Sequence, residues 1–209
     1  MESKKPMQDE SEFNLPLGTL ALVDTQAMFF SSRATFGPTN RTDYLRLKLL
    51  IEREVQKANP YNPNNFLDLK AYVITYGNYD TTKFRQLLKG FGYSVEEKIV
   101  AKQAGSRRLV AEGSWNDEMI AEAVQKNQRY QRVIFVTGDG TLVRLVELLK
   151  GTDTGRLAPH DKIEVWVVFF EKNLNAALAK VAHRTIILDR DVIWTIEEEE
   201  QRRWDASKR

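Results

Sequence analysis

The chain has 209 residues, 42% of them hydrophobic and 10% aromatic, with 31 basic and 29 acidic side chains, a formal net charge of +2 and no cysteine. That composition excludes global disorder, a disulfide framework and any thiolate metal site, and it leaves nucleic acid only local patches to bind. No apolar run approaches the roughly 18 residues that cross a bilayer, and the polar N-terminus lacks a signal-peptide core, so a soluble cytoplasmic protein without membrane association is expected.

In chain order, residues 1–16 read as a flexible polar arm, residues 17–193 as one domain, and residues 194–209 as a charged tail with helical character. Residues 19–24 (TLALVD) are a short apolar strand ending on an acid. Residues 42–58 read as a helix with Tyr44, Leu47, Ile51, Val55 and Ala58 on one face, stopped by Pro60. A loop rich in Asn and Pro covers 59–65, and residues 70–76 (KAYVITY) form a second buried strand. Thr81 or Thr82 caps a helix with Phe84, Leu87 and Leu88 inward, closed near Gly90 or Gly92. A strand over 93–100 runs into the basic, glycine-containing stretch AKQAGSRRLVAEG. Ser114 opens a helix with Met119, Ile120, Ala123 and Val124 inward. Residues 132–137 (RVIFVT) are the strongest buried strand, and residues 141–150 a helix ended by Gly151. Residues 163–170 (IEVWVVFF), a helix around Leu174, Leu178 and Val181, and residues 185–189 (TIILD) complete the series. Apolar strands alternating with amphipathic helices predict an α/β fold, a three-layer sandwich with a mostly parallel central sheet.

In such a sheet, ligands bind outside the carboxyl ends of the strands. Asp24 closes the first strand, Asp139 follows RVIFVTG, and Asp117 falls in the first turn of the helix after the basic stretch. Carboxylates converging there suit a hard cation such as Mg²⁺ or Mn²⁺, which could activate water and neutralise charge on a phosphate. Each acid also has a structural reading. Ser114-Trp115-Asn116-Asp117 spells a capping box, and Asp24 and Asp139 are acceptable turn formers, with Thr141 as an alternative cap. Lys98, Lys102, Arg107 and Arg108 surround Gly105 in a basic loop suited to RNA phosphates or simply to solvent, and Arg33, Lys83 and Arg85 extend the patch. Tyr76 and Tyr79 are candidates for stacking on bases or for packing. His160 and His183 are too far apart in sequence and context to suggest a dyad.

LALVDTQAMFF resembles the opening strand of the NYN domain family of PIN-like ribonucleases, which includes the LabA-like proteins; that strand ends in Asp, followed two residues later by Asn. VIFVTGDGTLVRLVELLK resembles the family's later strand, turn and helix, built on Ser-Gly-Asp-x-Asp-Phe, and GSWNDEMIAEAV stands where an Asp opens the preceding helix. The likeness spans residues 19–189. It implies a PIN-like sheet and a Mg²⁺- or Mn²⁺-dependent endoribonuclease acting on single-stranded RNA. Asp24, Asp117 and Asp139 would be its metal-coordinating and catalytic acids. Gln26, Thr137 and Thr141 would orient water or phosphate, and Arg33, Lys102, Arg107 and Arg108 would contact the RNA. Two departures stand out: Gln26 replaces the Asn, and Thr141 replaces a fourth acid. They favour the alternative, a catalytically weakened NYN-like module that binds RNA or a protein partner. Trp166, Phe169, Phe170, Trp194 and Trp204 are then candidates for the interface, including that of a homodimer. A HAD-type phosphohydrolase would need a second Asp at position 26, and a dinucleotide-binding module would need a G-x-G-x-x-G after a strand. Neither is present.

Overall fold

Every residue of the first strand, β1 (Gly18–Asp24), is buried, as a strand can be only where its sheet is covered on both faces. The computed structural model describes residues 18–60, 66–76, 79–100, 115–125, 130–151, 163–195 and 198. After β1 come α1 (Thr25–Phe36), β2 (Arg41–Thr42), α2 (Tyr44–Ala58), β3 (Leu67–Tyr76), α3 (Thr82–Gly90) and β4 (Ser94–Val100). The second half contains α4 (Asn116–Gln125), β5 (Tyr130–Val136), α5 (Val143–Leu149), β6 (Glu164–Phe170), α6 (Ala176–Val181), β7 (Arg184–Leu188) and β8 (Ile193–Trp194). Six strands form one sheet in the order β4-β3-β1-β5-β6-β7, with every pairing parallel, while β2 and β8 form a small antiparallel ribbon.

The period of two in each central strand divides the core into two layers. Ala21, Val23, Ile134, Val136, Trp166 and Val168 face α1, α2 and α3, where Met28, Leu47, Ile51 and Leu88 meet them. Leu20, Leu22, Val133, Phe135, Val165 and Val167 face the other way, against Met119, Leu145, Val146 and Leu178 of α4, α5 and α6. The expected three-layer α/β sandwich is therefore the observed one.

Several details differ from expectation. The segment 25–36, for which no element was expected, is a helix capped by Asp24. The side chains of Leu87 and Val124, expected inward, are exposed. Trp166, Phe169 and Phe170 are core residues and offer no interface, because β6 is covered on both faces. Trp194, expected to open the tail, pairs in β8 with Arg41 and lies under its guanidinium; Trp204 lies outside the described residues. Among the described residues no helix is long and apolar enough to cross a membrane.

The crossing of the chain matters most for function. From β1 the chain leaves toward the α1–α3 face and builds outward through β3 and β4. From β5 it leaves toward the α4–α6 face and builds through β6 and β7. Connections departing to opposite faces from two adjacent parallel strands open a crevice at their carboxyl ends. β1 and β5 are those strands, in register from Thr19↔Arg132 to Val23↔Val136.

Candidate active site

Asp24 ends β1 in this crevice and is the N-cap of α1, its Oδ1 accepting from the Ala27 N–H at 2.9 Å. Burial pushes its carboxyl up from the ordinary range. The Ala27 and Gln26 N–H groups pull it back, and the negative charge of Asp139 pushes it up further. The start of α1 is pinned to its neighbours. The Thr25 hydroxyl donates to the Tyr72 carbonyl at 2.7 Å, and the Gln26 amide donates to the Tyr76 hydroxyl at the end of β3.

Asp139 enters from β5 through Thr137 and Gly138. Its Oδ1 accepts from the Thr141 N–H at 2.8 Å, capping the single 3₁₀ turn Gly140–Leu142, and its Oδ2 accepts from the Asn116 amide at 2.7 Å. Burial raises its carboxyl, but the Thr141 N–H, the Asn116 amide and the Thr141 hydroxyl outweigh that effect and hold it below the usual value. The loop itself is tightly seated. A Cβ on Gly138 would come within 2.3 Å of the Asn173 carbonyl, and the Gly138 carbonyl accepts from the Asn175 N–H at 3.0 Å.

The third arm comes from α4. Asn116 is its first residue and only 3% exposed, and its amide donates to both Asp139 and the Thr141 hydroxyl. Its Oδ1 is buried and has no hydrogen-bond partner among the described residues. Asp117, one residue on and about 100° further round the helix, is exposed in the first turn, where its charge suits the helix dipole. The α4 residue that reaches Asp139 is thus Asn116, a residue the sequence pattern did not single out. Its signal was available, since it opens the helix beside the expected acid. Among the described residues no three His, Asp or Glu side chains gather closely enough to hold a metal ion. The crevice therefore joins two carboxylates, Asp24 and Asp139, with the neutral oxygens and amides of Asn116, Gln26 and Thr141.

The other expected site residues are placed as follows. Thr137 is fully buried, and its hydroxyl accepts from the Asp139 N–H at 3.4 Å, so it shapes the loop rather than facing solvent. Thr141 is exposed at the rim. Arg33 is exposed on α1, with Nε donating to the Pro38 carbonyl at 2.7 Å and its guanidinium 5.0 Å from the centre of the Phe29 ring. Lys102, Arg107 and Arg108 lie outside the described residues. Lys98 is paired with Glu118 at 3.0 Å and Arg85 with Glu97 at 2.7 Å. His183 is remote from the crevice, its Nδ1 accepting from the Val165 N–H at 2.9 Å; His160 lies outside the described residues.

A family model described as NYN domain matches residues 19–189. Among solved structures, a protein of unknown function from Vibrio parahaemolyticus is similar, with a TM-score of 0.67 and 22% identity over 88% of this chain and 99% of that one. At that identity the likeness extends to the fold. No curated protein matches the chain.

Proposed function

The chain belongs to the NYN domain family, and we propose that it is a divalent-metal-dependent ribonuclease-like domain that acts on single-stranded RNA. The observation that carries this reading is the placement of two carboxylates at the switch between β1 and β5, Asp24 capping α1 and Asp139 capping the turn after β5, with the Asp24 carboxyl raised chiefly by burial and to a lesser extent by the charge of Asp139. A carboxyl perturbed by desolvation together with a specific charged neighbour, at such a crevice, is a functional-site candidate. The donor set fits a hard cation in kind, because Asp24 and Asp139 supply carboxylate oxygens and the Thr141 hydroxyl stands at the rim beside Asp139. Asp24 and Asp139 would hold Mg²⁺ or Mn²⁺. Such an ion, when bound, lowers the pKa of water and neutralises charge on a phosphate.

The chain's own groups do the positioning. The Ala27 N–H fixes the Asp24 carboxylate, and the Thr141 N–H with the Asn116 amide fixes that of Asp139. Gln26 and Thr141, at the rim, would orient the scissile phosphate or the attacking water. Thr137 acts one step back, by holding the Asp139 backbone. Asp117 would add charge from the surface of α4, and Arg33, with Lys102, Arg107 and Arg108 of the basic loop, would grip the RNA backbone.

A second reading is an RNA- or partner-binding module without turnover. Asn116 favours it, since a neutral amide holds Asp139 where a third carboxylate would strengthen a metal site. One assay separates the two: labelled single-stranded RNA with and without Mn²⁺, on the wild type and Asp139→Asn. Metal-dependent cleavage abolished in the variant supports the enzyme, while cleavage undiminished in Asp139→Asn removes the assigned site. Binding without cleavage in any divalent metal leaves the second reading standing.

A further inference from the structure

The helix α1 is folded against ordinary burial preference. Its covered face carries Thr25, Met28, Ser31 and Ser32, whereas Phe29 and Phe30 are 38% and 58% exposed. Two serines inward and two phenylalanines outward invert the usual partition, and local rules are broken most often where function requires it. The exposed rings are not scattered. At 3.6 residues per turn, Gln26, Phe29, Phe30 and Arg33 share one face, and Arg33 stands about 10 Å along the axis from Gln26.

This stripe has an order. It begins at the acidic crevice, where Asp24 caps α1 and Gln26 donates to Tyr76. Its middle is the edge-to-face pair Phe29–Phe30, with ring centres 5.3 Å apart. It ends on two exposed cations: Arg33, held by Pro38 and Phe29, and Lys172, whose ammonium donates to the Ala34 carbonyl at 3.3 Å. α1 crosses the carboxyl edge of the sheet, bonded to Tyr72 of β3 at its start and packed through Phe36 on Phe170 of β6 at its end. A ligand leaving the crevice along it passes from acids, to aromatic rings, to positive charge.

We infer that the stripe is a nucleobase-stacking subsite for the nucleotide next to the phosphate bound in the crevice. The subsite rests on the RNA-directed reading proposed above. A single strand carries one base on the sugar between successive phosphates, and the crevice, Phe30, and the cations Arg33 and Lys172 present chemistry complementary to phosphate, base and phosphate in that order. The base lies on the more exposed ring, Phe30. Stacking accepts any base, because each has a π face, so the subsite sets position along the strand rather than sequence. Arg33, with Nε fixed on the Pro38 carbonyl, presents its terminal nitrogens to the following phosphate. A purely apolar protein ligand would leave both cations unmatched.

The test is fluorescence anisotropy in EDTA with a labelled eight-nucleotide uridine RNA and an abasic oligonucleotide of the same length, on wild type, Phe30→Ala and Phe30→Trp. Phe30 is exposed, so the variants should fold, and a melting curve checks this. The expected result is about tenfold weaker RNA binding by Phe30→Ala. Phe30→Trp should restore it, and the abasic strand should bind all three proteins alike. Unchanged RNA binding in Phe30→Ala overturns the subsite while leaving the ribonuclease reading intact. Failure of the wild type to bind RNA, with or without Mn²⁺, overturns both. A wild-type dimer in light scattering that Phe30→Ala converts to monomer would show instead that a second copy covers the stripe.

Discussion

The side-chain amide of Asn116 donates to Asp139 Oδ2 at 2.7 Å while the Thr141 N–H holds Oδ1 at 2.8 Å, so α4 and the turn after β5 share one carboxylate. Both of its oxygens therefore have a donor, which keeps Asp139 ionised in a half-buried position. Asp24, facing the same crevice, is pushed the other way by burial and by that neighbouring charge. The pair is asymmetric: one carboxylate is held firmly in its charged form, and the other is charged at a cost.

Asn116→Asp tests the first half of that pair. It would replace a donor to Asp139 with a third negative charge. In EDTA the variant should be less stable by about 1–3 kcal/mol, the usual consequence of leaving a buried polar partner unmatched. With a cation in the proposed site the same charge would become a ligand, and Mn²⁺ affinity should rise on the order of tenfold. Melting curves in EDTA and calorimetric titration with Mn²⁺ give the two numbers. A variant that binds Mn²⁺ no better than wild type would remove α4 from the proposed cation site.

Asp24→Asn tests the second half. A carboxyl whose folded pKa is raised ionises more readily in the unfolded chain, so its ionisation destabilises the native state. That penalty is absent below the unfolded value, grows as pH rises through the interval between the two values, and is complete above the folded one. Asn keeps the cap on α1, because Asn and Asp serve about equally as N-caps. The variant should therefore gain stability at pH 7, on the order of 1 kcal/mol, and lose the gain as pH falls below the carboxylate range. Mn²⁺, which should stabilise the wild type in the same melts, should shift the variant much less. A variant less stable than wild type at pH 7 would contradict the raised carboxyl.

The positions of Asp24 and Asp139 are legible in the sequence because an acid at the end of an apolar run in an α/β pattern has one place to go, the carboxyl edge of the sheet. Asn116 is not legible in that way. A shift of one residue on a helix turns a side chain by about 100°, and the residue-type argument points to the acid next door. Only the placement of Thr141 and Asp139 beneath α4 shows which of the two faces inward. α1 is hidden for a different reason. Amphipathic pattern is the signal for a surface helix, and a helix that buries Ser31 and Ser32 while exposing Phe29 and Phe30 carries that signal inverted. The burial of Trp166, Phe169 and Phe170 could be expected from the near-continuous apolar run of β6, yet aromatic content alone suggests an interface just as well.

Gly138 and Gly140 flank Asp139 and should respond differently to alanine. A Cβ at Gly138 meets the Asn173 backbone carbonyl at 2.3 Å and the Phe169 ring at 2.5 Å, and neither can move without disturbing the β6 end. At Gly140 the nearest atom is the Asn175 side-chain nitrogen at 2.4 Å, the tip of a side chain that can turn. Turning it would weaken the α6 cap, since Asn175 Oδ1 accepts from the Ala177 and Leu178 N–H groups. Gly138→Ala should cost about 3 kcal/mol by overpacking, and Gly140→Ala about 1 kcal/mol, the usual loss for a cap. Chemical denaturation of both variants checks the order, which the two contacts fix more firmly than the magnitudes. Equal losses would mean that the loop moves as a unit.

At the opposite end of β5, Arg132 gives a control that separates stability from function. Its guanidinium is almost wholly buried, bonded to Glu164 at 2.8 and 2.6 Å and stacked 4.3 Å from the centre of Trp166. Glu164 also accepts from the Trp166 indole N–H at 2.7 Å, so one carboxylate satisfies two buried donors. Glu164 is itself 40% exposed, so Glu164→Ala would leave the buried Arg132 guanidinium short of its charged acceptor but open to water on that side, at a cost of about 1–3 kcal/mol. The Asp24–Asp139 crevice lies beyond the other end of the same strand. The variant should therefore melt well below wild type yet, at temperatures where it is folded, show wild-type Mn²⁺ binding and wild-type RNA affinity. Loss of Mn²⁺ affinity at full native signal would show that the strand transmits the defect to the crevice, and the two ends of β5 could no longer be treated as independent.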